Sequence, residues 1–265
     1  MVNANTQLTA RTGLRAKSTS DDLLSASALY LSETPIDVSD SPNIISRLSA
    51  EDYLQVRSRG REFAVEPGKT VFLQGEEHDG IFIIETGSVR TYYISPSGRE
   101  ITLAYWTPGH FVGGPEVFGR GTHIWSGEAE QSSRILHLSG GELQNLIEKM
   151  PPLALGVIEG LVFKGKCYSA LVQMLGTRSV VERLARLLLT LCEIEGREIE
   201  GGILIDRTFT HEQLANLVGA TRQWVTKTLE NFCNEETLKI SDKKILVVRQ
   251  NELRRLTEQT GLVDR

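Results

Sequence analysis

Cysteine is scarce in this chain. Its 265 residues include three, Cys167, Cys192 and Cys233, odd in number and far apart. That spacing excludes a disulfide framework and the close pairs of zinc and iron–sulfur sites, leaving small buried or half-buried thiols. Long apolar runs are missing too: nothing approaches the ~18 residues a membrane span requires. The first 24 residues, MVNANTQLTARTGLRAKSTSDDLL, lack the apolar stretch of a secretion signal, so the cytoplasm is the expected compartment. Basic charge is in deficit, 29 Lys and Arg against 34 Asp and Glu for a net charge of −5, which by itself argues against a nucleic-acid partner. The deficit is local, because the residues from Thr177 onward carry 14 of each sign and the remaining 15 basic and 20 acidic side chains precede them. A balanced C-terminal region can still present a basic face.

What is present fits a soluble globular protein with 40% hydrophobic residues and a length suited to two domains. Residues 1–45 are rich in Ser, Thr, Asp and Asn and predict a flexible arm outside the core, with a helix near DDLLSASALYL. From Arg61 the pattern turns to short apolar runs (REFAV, TVFLQG, IFIIETG, SVRTYYI, REITLAYW) punctuated by EPGK, SPSG and TPG. Strands of this length and spacing predict an antiparallel sandwich or jelly roll, placed over 46–150. After RILHL the period switches to helical. Ser139 with Glu142 reads as a capping box, and PPLALGVIEGLVFKGKCYSALVQML reads as a long helix over 151–176 opened by proline. Within it Val157, Leu161, Lys164, Tyr168, Leu171 and Leu175 recur at steps of four and three. This heptad seam predicts a homodimer, with the polar pair Lys164 and Tyr168 setting register or touching something bound there.

Residues 177–265 carry the clearest motif. In HEQLANLVGATRQWVTKTLENF, His211, Ala215, Gly219 and Val225 hold the spacing of a helix-turn-helix. The small Ala lets two helices approach, the Gly takes a left-handed turn and the β-branched Val anchors the second helix. TLKISDKKILVV then reads as two strands around a polar turn, a wing. The pattern predicts binding to double-stranded DNA.

Taken together, EPGKTVFLQGEEHDGIFIIETGSVR, GREITLAYWTPGHFVG and LANLVGATRQWVTKTLENF resemble the CRP/FNR transcription factors over about residues 60–260. The resemblance implies an α+β fold: a cyclic-nucleotide-binding-domain-like β-roll, a long dimerisation helix and a C-terminal winged helix-turn-helix. It implies a non-enzymatic homodimer that binds an inverted repeat and works with RNA polymerase. The second helix of the motif would enter the major groove with Thr221, Arg222, Gln223, Thr226 and Lys227, Arg222 pairing with guanine O6 and N7. Lys227 and Arg207 are equally suited to phosphates.

The same resemblance sets a test for GHFVGGPEVFGRGTHIWSG, residues 109–127. The family grips the ribose of a cyclic nucleotide with a Glu and its phosphate with an Arg. Here Gly114 stands at the Glu position and Thr122 or His123 at the Arg position. Burying a phosphate without a cation costs several kcal/mol, so cyclic AMP is not the expected ligand, and no cofactor is expected. The pocket instead reads as a site for another small organic effector, lined by Trp106, Gly113, Gly114, Glu116, His123, Trp125, Lys164, Tyr168 and Ser169. Two alternatives remain open: a haem- or metal-dependent sensor of the same fold, and a cupin-like metalloenzyme with an appended DNA-binding domain. No metal ligands are assigned, because His110, Glu116 and His123 lack a cupin spacing.

Overall fold

The computed structural model describes Leu31 and residues 42–258. After a first helix, α1 (Ala50–Arg59), the chain forms eight strands: β1 (Arg61–Val65), β2 (Thr70–Phe72), β3 (Gly80–Thr86), β4 (Val89–Ile94), β5 (Glu100–Trp106), β6 (Phe111–Val112), β7 (Ser126–Ala129) and β8 (Ser133–Ser139). They make two four-stranded antiparallel sheets, ordered β1-β8-β3-β6 and β2-β7-β4-β5. Phe82, Ile84 and Ile135 from one sheet and Phe72, Val89, Ala104 and Trp106 from the other share one buried cluster, which is the roll predicted from the alternating runs. The β3–β4 turn needs Gly87, whose φ is +83° and where a Cβ would lie 2.2 Å from Ser133 Oγ.

The arm contributes more than its composition suggested. Ile44 is buried beside Phe111 and Leu153, its N–H donates to Gly109 O at 2.9 Å, and Leu31 is buried too. Apolar side chains within a polar segment thus join the core, which corrects the expectation for Leu31 and residues 42–45. The rest of that expectation, including the helix near 21–31, lies outside the described residues.

Ser139 caps α2 (Gly140–Lys149), accepting from the Glu142 N–H at 3.4 Å, and proline opens α3 (Pro151–Thr177). The six seam residues of α3 turn inward. Val157, Lys164 and Leu171 are buried, and Leu161, Tyr168 and Leu175 pack against the core clusters. A face committed to its own chain is not available as an interface, so the predicted dimerisation seam is corrected. One residue further along, Leu155, Ile158, Val162, Gly165, Ser169, Val172 and Gly176 repeat at steps of three and four on the opposite side. Leu155, Ile158, Val162 and Val172 are 51–69% exposed. The inner face is marked by its glycines: a Cβ on Gly160 would lie 2.5 Å from Phe111 and one on Gly156 3.0 Å from Ile44.

Beyond α3 come α4 (Val180–Glu195), β9 (Gly196–Ile199), β10 (Gly202–Ile205), α5 (His211–Val218), α6 (Arg222–Asn234), β11 (Leu238–Ser241), β12 (Lys244–Val247) and α7 (Gln250–Glu258). The third sheet, β11-β12-β10-β9, is antiparallel and includes β9, a strand not anticipated from the sequence. Asp242 and Lys243, with φ of 50° and 64°, close the wing hairpin as two consecutive left-handed residues. Gly219 has φ 61° and ψ 43° at the end of α5, Val225 is fully buried and Ala215 nearly so. Arg183 ties this turn to the long helix, donating to Val218 O at 2.7 Å and Arg178 O at 2.7 Å.

A Cβ on Gly219 would lie 2.8 Å from Leu175 Cδ2. Gly219→Val is therefore expected to destabilise the C-terminal domain by about 2 kcal/mol or more, a strained left-handed valine adding to the clash. Thermal unfolding followed by circular dichroism measures the shift.

Candidate nucleic-acid interface and effector site

Helix α6 buries Val225, Thr228, Leu229 and Phe232 against α5 and its neighbours. Helical periodicity then sends Arg222, Gln223, Trp224 and Lys227 to solvent, and all four are exposed. Thr221 caps the helix, its hydroxyl accepting from the Trp224 N–H at 3.3 Å, so the positive end of the helix dipole sits among these side chains. Arg222 and Lys243 of the wing border one groove of about 500 Å³, and Lys239 and Lys244 are exposed nearby on the wing. Glu212 lines the same groove, so cations and one carboxylate share it.

Two of the expected DNA contacts sit differently. Thr226 is half-buried, its hydroxyl bonded to His211 Nδ1 at 2.8 Å across the two helices. Arg207 is turned away from α6 and toward carboxylates, Glu130 at 3.3 Å and Glu195 at 3.9 Å, which corrects its reading as a phosphate contact in this arrangement. Trp224, 56% exposed beside Arg222 and Gln223, was not singled out from sequence. The signal was available: a large aromatic one position before the buried Val225 must fall off the packed face.

The expected effector residues separate into two groups. In the glycine-rich segment, the ring of His78 occupies the space beside Gly113 and Gly114, and a Cβ on Gly114 would lie 3.3 Å from it. His78 and His123 are buried with ring centroids 4.4 Å apart, Phe72 stacks on His123 at 4.4 Å, and His123 Nδ1 bonds to Gly113 O at 2.9 Å. Burial lowers both imidazole pKa values below the usual range, so both rings are neutral at pH 7. The position of the two charged grips is thus filled with uncharged rings. Glu116 and Arg120 are exposed, and Glu116 is corrected as a pocket residue because it stands on the outside of its turn. Among the described residues no three His, Cys, Asp or Glu side chains are placed to hold a metal.

The second group lies between the roll and α3. Lys164 is 7% exposed, with Nζ 3.5 Å from the Trp106 ring centroid and 4.9 Å from that of Phe111. Aromatic faces attract a cation but replace little of its lost hydration. Burial accordingly pulls the Lys164 amine down to about 7. Burial, and then the charge of Lys164, lower His110 to about 4, and burial raises the Cys167 thiol to about 11. Tyr168 packs on Trp125 at 5.4 Å and Trp106 at 6.4 Å, and burial raises its phenol pKa. Trp106 Nε1 donates to Thr91 Oγ1 at 3.0 Å. Trp106, Trp125, Lys164 and Tyr168 are therefore brought together as expected residues of one place, apart from Gly113, Gly114 and His123. Ser169 is corrected: it lies on the exposed face of α3, because one residue past Tyr168 the helix has turned by about 100°.

Residues 62–150 match the family model of the cyclic nucleotide-binding domain, and residues 182–256 match that of the Crp-like helix-turn-helix domain. The chain is similar to a CRP-like cAMP-activated global transcriptional regulator of Mycobacterium tuberculosis, 27% identical over 188 residues that cover 71% of this chain and 84% of the relative. It is similar to a global nitrogen regulator of Synechococcus elongatus, 26% identical over 69% of this chain and 83% of that one. In fold it is similar to the c-di-GMP responsive global regulator CLP of Xanthomonas campestris, with a TM-score of 0.67 and 19% identity over 75% of this chain and 99% of that one. No helix among the described residues is long and apolar enough to cross a membrane.

Lys164→Met should stabilise the ligand-free protein by on the order of 2–4 kcal/mol at neutral pH, because it removes a buried cation surrounded by aromatic rings. The amine titrates near 7 when folded and at 10.5 in its ordinary state, so the unfolded chain binds the extra proton between those values. The gain is then full below pH 7 and fades as the pH rises toward 10.5. Urea unfolding of both proteins across this range is the measurement.

Proposed function

Because this chain belongs to the CRP/FNR family of DNA-binding transcriptional regulators, we propose that it acts as a homodimer on an inverted repeat, under control of a small molecule other than cyclic AMP. The observation that carries the DNA half of this reading is the exposed N-terminal turn of α6, with Arg222, Gln223 and Lys227 held clear of the core. A guanidinium suits guanine O6 and N7, a carboxamide suits adenine N6 and N7, and an ammonium suits phosphate. Trp224 joins this surface at the edge, where an indole can pack on deoxyribose.

The dimer half rests on α3. Its outer stripe of Leu155, Ile158, Val162 and Val172 is too continuous to leave in water. The small residues Gly165, Ser169 and Gly176 in the same register let a second copy of the helix come close. Two antiparallel-facing half-sites about one helical turn apart follow from the two-fold axis.

The effector reading rests on the aromatic group around Lys164 and Tyr168, next to the proposed dimer axis, where a bound molecule would touch both roll and helix. The neutral His78 and His123 in place of a carboxylate and a guanidinium speak against a cyclic nucleotide. An effector there would shift the population between arrangements of the winged helices that can and cannot engage DNA, and RNA polymerase is the expected downstream partner.

Selection from random duplexes, followed by gel-shift titration, tests the DNA reading. Arg222→Ala should cost about 1–3 kcal/mol per half-site and flatten the preference at one base pair. An equal loss on every sequence would reassign Arg222 to the backbone. For assembly, sedimentation should show a dimer at micromolar concentration and a folded monomer for the double variant Ile158→Glu, Val162→Glu, whereas Leu171→Glu should unfold the protein because Leu171 is core.

A further inference from the structure

The winged helix is not merely tethered to the roll; it is held by side chains. Arg90 on β4 is ion-paired with Glu100 on β5, with Glu128 on β7 at 3.4 Å and with Glu130 at 3.3 Å. Glu130 also reaches Arg207 at 3.3 Å, and Arg207 lies 3.9 Å from Glu195 at the end of α4. On α5, the first helix of the DNA-binding motif, Asn216 Nδ2 donates to Glu100 Oε1 at 2.9 Å. Gln213, one turn earlier, borders a small cavity of about 90 Å³ between the domains together with Arg90, Glu128, Arg207 and Asn216. The roll contributes three carboxylates, Glu100, Glu128 and Glu130, against one guanidinium, Arg90, so it presents an excess of negative charge to the motif.

A row of carboxylates meeting an arginine and the amides of a helix-turn-helix has the chemistry of a phosphate backbone. Carboxylate and phosphate oxygens accept the same N–H donors, and the first helix of such a motif crosses the DNA backbone. We propose that the acidic edge of the roll, Glu100 and Glu130 with Glu128 beside them, is a built-in competitor of DNA: it occupies Arg207 and the polar face of α5 and has to let go when the regulator engages its operator. The pairs are suited to release. Arg207 keeps 24% of its side-chain surface in solvent against 12% for Arg90, so Arg207 is the more accessible of the two to salt and to a polyanion. Arg90 stays with the roll and keeps the carboxylates aligned after release.

This inference rests on the DNA-binding reading, and the test separates the two. The full-length protein and the double variant Glu100→Gln, Glu130→Gln are titrated with a duplex obtained by selection, at several salt concentrations, with Glu66→Gln as a control on an exposed part of the roll. The double variant should bind about fivefold tighter or more. The slope of log affinity against log salt should become steeper, since Arg207 is no longer held by Glu130 when DNA arrives. Spin labels at Ser97 and Glu230 should report a broader interdomain distance in the variant, and Asn216→Ala, which leaves every charge in place, should move affinity in the same direction. Unchanged or weaker binding by both variants, whatever the labels show, overturns the proposal. Failure of the wild-type protein to select any duplex overturns the DNA-binding reading instead.

Discussion

Everything in this architecture depends on covering α3 on two sides. Its 27 residues include no acidic side chain in the first turn and no basic one in the last, and apolar residues run around most of its circumference. Water can be kept from such a helix only if two different surfaces press on it. The roll supplies one through Phe111 and Trp106, with Gly160 giving the clearance for Phe111. The other side is the exposed stripe on which the proposed dimer rests. The helix also reaches the C-terminal domain, since Leu175 near its end lies against the turn at Gly219.

The interior of the roll is closed around Gly113 and Gly114: His78 fills the space beside them, and His123 is stacked on Phe72 and meets the His78 ring edge-on. The roll–helix junction is built differently, with Lys164 resting on Trp106. A buried cation among rings is costly unless something anionic arrives, so this junction is energetically unfinished in a way the histidine group is not.

Strands β4 and β5 connect that junction to the DNA-binding domain through side chains on their two faces. Thr91 turns inward to accept from Trp106, while its neighbour Arg90 turns outward to carboxylates of which one, Glu130, also holds Arg207. On β5, Trp106 meets Lys164 at one end and Glu100 meets Asn216 at the other. A shift of these paired strands would be felt at both places, because the strand alternation that separates the faces also ties them rigidly together.

Local chemistry made much of this protein legible in its sequence. The switch from period two to period 3.6, the cap at Ser139, the left-handed Gly219 and the wing turn each depend on residues within a few positions of one another, and so did the absence of an acid at Gly114 and a cation at His123. What depended on distant pairs was not legible. The two apolar stripes of α3 have the same spacing, and only the arrival of Ile44 at Gly156 and of Phe111 at Gly160 decides which one is core. Arg207 could pair with phosphate or carboxylate until Glu130, 77 positions away, was placed beside it. His78 gave no sign that it would occupy the space left at Gly114. The sequence by itself determined which elements form and which charges are missing; tertiary structure decided which faces meet, because packing and ion pairing are set by distances in space that local patterning does not encode.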